Sequence, residues 1–169
     1  GWIGENTCLF TPKLGSWVFL GEILTDIEFE PDYPMESRCR KCGRCVKACP
    51  TGALIKPFQI NPHRCLSYIT QMRGVIPEEF QRPLGNRVFG CDTCQEACPN
   101  NKNVKIPNHI GFRPLFPLET NLVKLATLST QDFNKAFKMT AAGWRGRNVI
   151  RRNAICALGN TEDAKYVKL

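Results

Sequence analysis

The chain has 169 residues, with 23 Lys plus Arg against 15 Asp plus Glu, and 10 Cys. With 43% hydrophobic and 22% charged residues it is not a disordered chain. No apolar run exceeds five residues, and that of Trp17-Val18-Phe19-Leu20 is likewise far too short to span a bilayer. Ten cysteines are too sparse for a secreted disulfide miniprotein and too many for an average enzyme. The net charge of +8 conceals a split: residues 1–37 carry one Lys and seven acids, whereas residues 38–169 carry 22 basic and 8 acidic residues. The second segment is therefore expected to face something anionic. The sequence opens at Gly1 in mid-pattern without an initiator Met, so we expect a fragment of a longer protein.

Residues 1–37 read as strands and loops. Ile27 and Phe29 alternate with Asp26, Glu28 and Glu30, the period-2 pattern of a half-buried strand, and Pro31 and Pro34 end the segment. Residues 38–112 are rich in Cys, Pro and Gly and cannot bury much core of their own. From Leu118 onward the pattern turns helical. Leu122, Leu125 and Ala126 share one face, and Ser129 followed by Asp132 predicts a capped helix over 130–138. A further helix is expected over 147–158, with Ile150, Ala154 and Leu158 on one side and Gly159-Asn160 as its stop. Thr161-Glu162-Asp163 can open another, so residues 113–169 read as the start of a helical repeat.

The cysteines carry the chemistry. Cys39-x2-Cys42-x2-Cys45-x3-Cys49-Pro50 places three thiols at intervals of three, which curls the backbone around one cubane. The fourth, before proline, points away and in two-cluster ferredoxins ligates the other cluster. Cys91-x2-Cys94-x3-Cys98-Pro99 repeats the motif with Val88 in place of the first Cys. Structural zinc favours paired knuckles and has no use for a third Cys at the same interval. A disulfide framework needs an oxidising compartment that nothing in the sequence indicates.

Two four-iron clusters need eight thiolates, and the motifs supply seven, leaving Cys8, Cys65 and Cys156 as candidates for the eighth. Thr51-Gly52-Ala53-Leu54 followed by Ile60-Asn61-Pro62-His63-Arg64-Cys65 resembles the stretch between the two motifs of a ferredoxin. Cys65 then looks like the displaced first ligand, with an insertion at 66–90. The resulting assignment is Cys39, Cys42, Cys45 and Cys98 for one cluster, and Cys49, Cys65, Cys91 and Cys94 for the other. Cys8 and Cys156, among apolar residues, read as buried thiols. Within the insertion, Ser67, Tyr68, Thr70 and Gln71 offer polar groups where a second redox cofactor could dock; the alternative is a plain helix covering the cluster. Arg145, Arg147, Arg151 and Arg152 cluster around Trp144, a composition suited to phosphate contacts and base stacking or simply to a solvated helix face.

The segments Gly1-Trp2-Ile3-Gly4-Glu5-Asn6-Thr7, Gly15-Ser16-Trp17-Val18-Phe19-Leu20-Gly21-Glu22, Cys65-Leu66-Ser67-Tyr68-Ile69-Thr70, Gly85-Asn86-Arg87-Val88-Phe89-Gly90-Cys91 and Arg151-Arg152-Asn153-Ala154, in this order with the doubled cysteine motif, resemble the epoxyqueuosine reductases. The resemblance implies an α+β chain. Its parts are the edge of a cobalamin-binding α/β domain (1–37), a ferredoxin-like module with two [4Fe–4S] clusters (38–112) and a HEAT-type helical tail (113–169). It also implies reduction of epoxyqueuosine to queuosine in a tRNA anticodon loop, with the clusters relaying electrons to cobalt. The eight cysteines match the family's cluster ligands. Ser67, Tyr68 and Thr70 match the cobalamin-side segment, and Arg145, Arg147, Arg151 and Arg152 match the tRNA-facing region. The family's proton-donating aspartate lies upstream of the Gly-Trp-Ile-Gly segment, so no catalytic residue is expected in this chain. We expect a cytoplasmic monomer without a membrane partner, fed by an external electron donor. The alternatives are a stand-alone two-cluster electron carrier and a cobalamin-dependent reductase of a small molecule.

Overall fold

The computed structural model describes residues 1–105, 111 and 121–166; the expected junction between the second and third segments lies outside the described residues. The chain forms two compact units, Gly1–Asn61 with Thr93–Pro107, and Pro62–Asp92 with Asn108–Leu169. The units interleave in sequence and so cut across the three consecutive segments read from composition.

The first unit combines two short hairpins with two short helices. Strands β1 (Trp2–Ile3) and β2 (Leu9–Phe10) pair antiparallel, with Trp2 opposite Phe10. Thr7 adopts φ 65° in the turn between them, and the Trp2 and Phe10 rings stack at 5.9 Å. Helix α1 (Arg44–Ala48) follows Gly43, and β3 (Leu54–Lys56) pairs with β4 (Gln59–Ile60) across a turn at Phe58. The apolar core is small: Trp2, Phe10, Cys45, Ala53 and Leu54. Polar bonds supplement it. Asn101 accepts the Ser16 N–H at 2.9 Å and donates to the Ser16 hydroxyl and the Gln95 carbonyl, both at 2.8 Å. Gly15 sits against that amide in a left-handed conformation (φ 59°), where an added Cβ would overlap Asn101 Oδ1.

The strand expected around Ile27 and Phe29 does not form: residues 17–43 contain no described strand. Alternation makes a strand only where a neighbour completes the ladder, and no described strand pairs with this stretch. Phe19, Leu20, Ile23, Leu24, Ile27 and Phe29 therefore lie exposed, Leu24 at 99%.

The second unit is helical, with α2 (Leu66–Ile69), α3 (Glu78–Leu84), α5 (Leu122–Ala126), α6 (Thr130–Ala136) and α7 (Arg147–Gly159); α4 (Thr93–Glu96) belongs to the first unit. The expected periodicity holds in α7, which buries Val149, Ile150, Asn153, Ala154, Ala157 and Leu158 on one side. Ile150, Ala154 and Leu158 pack with Leu125, Leu128 and Phe133; Leu66, Ile69, Ile76, Phe80 and Leu84 form a second core. The expected cap is present: Ser129 Oγ accepts the Asp132 N–H at 3.0 Å, and its hydroxyl meets the Asp132 carboxylate at 2.6 Å. Asn121 caps α5 in the same way, accepting the Val123 N–H at 2.9 Å. After the Gly159-Asn160 stop, only a short turn over Ala164–Tyr166 is described where a further helix was expected.

Candidate iron–sulfur site and basic groove

Cys39, Cys42, Cys45 and Cys98 line one cavity of the first unit, together with Glu5, Arg40 and Arg44. Local backbone geometry brings them there. Lys41 (φ 49°) and Gly43 (φ 66°) are left-handed, so the chain coils between successive cysteines. The Gly43 N–H that this coil turns inward donates to the buried Glu5 carboxylate at 2.8 Å. Burial pushes the Cys45 thiol up to about 11, against the favourable N–H of Val46 and with the Glu5 charge adding to the rise. Burial also raises Cys98, with the charges of Cys39, Cys42 and Cys94 contributing further. Cys45 and Cys98 thus resist ionisation; bound iron would hold all four cysteines as thiolates.

Cys49 and Cys94 stand elsewhere in the same unit, and Cys8 joins them. Burial disfavours the Cys49 thiolate, but the N–H groups of Leu54, Thr51 and Ala53 and the Thr51 hydroxyl outweigh it, and the thiol titrates below its ordinary range. The Ala53 N–H lies 3.2 Å from Cys49 Sγ. This is a site built for an anionic sulfur before any metal arrives. Cys94 is raised, first by its hydrogen bond with the Cys8 thiol, then by burial and by the charges of Cys8 and Cys49. Cys8, read from sequence as a buried spare, thus touches a candidate ligand; nothing in its local sequence pattern signals this.

Cys65 and Cys91 belong to the second unit. Cys65 immediately precedes α2, where the Ile69 N–H donates to its carbonyl at 2.9 Å. Thr70, at the other end of α2, is fully buried at 0% exposure. Its hydroxyl donates to the Ser67 carbonyl at 3.1 Å and accepts the N–H of Gly90, the residue before Cys91, at 2.9 Å. The Thr70 side chain therefore faces inward, which corrects the expectation that it lies open to a docked cofactor. Tyr68 is 44% exposed, edge-on to His63 at 5.3 Å, and Ser67 is half-buried.

The four expected arginines do not form one patch. Arg145, Arg147 and Arg152 line a groove of about 620 Å³ at the start of α7, shared with Gly74, Asn148 and Arg73. Arg73 is an addition that sequence spacing did not reveal, since it lies 72 positions before Arg145. Arg145 stacks on Trp144 at 4.2 Å from the ring centre, and that indole is 74% exposed. Arg151 lies apart from this groove, its Nε donating to the Ala126 carbonyl at 2.8 Å. Arg152 is largely consumed. It donates to the carbonyls of Met72 (2.7 Å), Gly74 (2.8 Å) and Ile69 (3.2 Å), and to Asn153 Oδ1 at 2.7 Å. For Arg152 carbonyl contacts take the place of the expected phosphate contact, since a guanidinium satisfied by backbone oxygens has few donors left.

Residues 38–101 match the 4Fe-4S double cluster binding domain family. The chain is 41% identical over 172 aligned residues to the epoxyqueuosine reductase of Bacillus anthracis, covering 99% of this chain and 44% of that protein. A solved epoxyqueuosine reductase from Bacillus subtilis superposes with a TM-score of 0.88 at 40% identity, over 99% of this chain and 45% of the other. Another, crystallised with an epoxyqueuosine-modified tRNA stem loop, gives 0.87 at 41% identity over 97% and 44%. The chain spans less than half the length of these relatives. Thiol cavity, family match and agreement along nearly the whole chain converge: this chain belongs to the epoxyqueuosine reductase family.

Proposed function

We propose that this chain is the iron–sulfur and RNA-facing part of an enzyme that reduces epoxyqueuosine in a tRNA anticodon loop to queuosine. The observation that carries the reading is the pairing, in one chain, of a four-thiol cavity with an arginine groove beside an exposed Trp144. An electron carrier needs the first and has no use for the second. Removing the epoxide oxygen consumes two electrons and two protons and releases water. Bound clusters supply electrons singly, and cobalamin, when bound, supplies a strongly reducing cobalt. The cysteine spacing, and for Cys65 the ferredoxin resemblance, support these ligand sets: Cys39, Cys42, Cys45 and Cys98 hold one [4Fe–4S] cluster, and Cys49, Cys65, Cys91 and Cys94 the other.

The chain's own residues do three things. Cys45, the buried member of the first set, shields its side of the first cluster from water. The N–H groups around Cys49 stabilise a thiolate. Arg73, Arg145 and Arg147 present cations to phosphates, while Trp144 offers a stacking face to an unpaired base. In the 66–90 insertion, the half-exposed Tyr68 and half-buried Ser67 are the polar groups that would meet cobalamin. The exposed apolar stretch Phe19–Phe29 suits burial against a cobalamin-binding domain in the longer protein, and α5 to α7 suit a HEAT-type tail. Among the described residues no helix is long and apolar enough to cross a membrane. We read the whole protein as a cytoplasmic monomer using a separate electron donor.

The test is binding of an epoxyqueuosine stem loop at increasing salt, beside iron and sulfide analysis. A steep loss of affinity with salt, with roughly eight irons per chain, is expected. Eight irons with no RNA binding at low salt would favour the electron-carrier reading.

A further inference from the structure

The second unit contains a polar network that the proposed function does not use. Asn153 sits in the middle of α7 at 0% exposure. Both of its amide protons are committed, one to the Thr70 carbonyl at 2.7 Å and one to the Val88 carbonyl at 2.6 Å. Its Oδ1 accepts from Arg152 Nε at 3.0 Å and from Nη2 at 2.7 Å. Thr70 ends the arm that begins at Cys65, and Val88 lies on the arm that ends at Cys91. The Thr70 hydroxyl closes the loop by taking the Gly90 N–H. One side chain therefore clamps the two cysteine-bearing arms together, while Arg152 grips the carbonyls at the end of the first arm.

We propose that Asn153 is a positioning residue for the second cluster, acting through Thr70 and Gly90 to fix the separation of Cys65 and Cys91. The inference rests on the ligand assignment made under the proposed function. The chemistry at this position is demanding: the side chain must donate twice and accept at least once within a closed space. Aspartate has the shape but no donors, and would set a negative charge against two carbonyl oxygens. Leucine fills the volume but removes both donors, leaving the Thr70 carbonyl only the 3.4 Å contact from Arg152. An ordinary packing position in α7, such as Ile150 or Ala154, imposes no such requirement.

The experiment uses the full-length protein and reads iron content, electron paramagnetic resonance of the reduced clusters and their reduction potentials. Cys65→Ala identifies the second cluster as the signal it removes. If Cys65→Ala keeps both signals and all the iron, the ligand assignment fails. If it removes one, Asn153→Ala and Asn153→Asp are expected to lose or shift that same signal and its potential while the other cluster keeps its own. Because Asn153 is buried, either variant can fail to fold, and Thr70→Val against Thr70→Ser then decides. Valine deletes the hydroxyl that holds Gly90 and should reproduce the shift; serine keeps the hydroxyl and should restore the wild-type signal. A lowered melting temperature with both cluster signals unchanged, or an equal change in both clusters, overturns the proposal while leaving the ligand assignment intact.

Discussion

Burial and charge act against one another on the cysteines of the first unit, and the balance differs from residue to residue. Cys45 is pushed up to about 11 chiefly by burial, whereas backbone N–H groups hold Cys49 below its ordinary range. Without iron, the folded state keeps Cys45 protonated where the unfolded chain has begun to release its proton, so the native state binds the extra proton. Stability of the iron-free protein should be intact below about pH 9 and fall as the pH rises toward about 11. Denaturant unfolding across that window measures it, and Cys45→Ser should flatten the fall; an unchanged slope in the variant would assign the loss to another group. Residue roles were only partly legible in the sequence. The gathering of Cys39, Cys42 and Cys45 was legible, because intervals of three coil the backbone locally. The fates of Arg152 and Thr70 were not, because their partners are brought in by the fold; for Arg152 they lie about 80 positions away.

At the scale of elements, local signals succeeded where a local bond decides the outcome. The Ser129 cap formed as expected, and Ser129→Ala should cost about 1 kcal/mol in equilibrium unfolding. Helix α7 was legible because its buried positions repeat at helical spacing over 13 residues. The strand expected near Ile27 failed because alternation states which face is apolar and says nothing about a pairing partner. Two glycines mark close approaches. An added Cβ at Gly15 would overlap Asn101 Oδ1 in a left-handed backbone, and one at Gly143 would overlap the Phe137 carbonyl. Gly15→Ala and Gly143→Ala should each lower stability by about 1–3 kcal/mol, whereas alanine at Gly159, with open space around it, should be tolerated. Comparable melting temperatures for all three variants would contradict these contacts.

For the whole molecule, the charge split in the sequence acquires a structural address. The basic excess of residues 38–169 includes Arg73, Arg145 and Arg147 around one groove, and Arg40 and Arg44 beside the first thiol set. Only the groove cations should govern RNA affinity. Arg145→Ala or Arg147→Ala should weaken stem-loop binding and reduce the slope of log affinity against log salt by about 1, with no effect on iron content. Arg151→Ala should change that slope little, since its guanidinium lies apart from the groove.

The central claim is that the two-cluster module serves deoxygenation of a tRNA base. It is tested most directly by incubating the full-length protein, loaded with iron and cobalamin, with an epoxyqueuosine stem loop and a reductant, then weighing the RNA by mass spectrometry. Loss of one oxygen atom, abolished by Cys45→Ala or Cys98→Ala, is the predicted result. An RNA that keeps its oxygen in the presence of protein with both clusters and all other cofactors bound would contradict it.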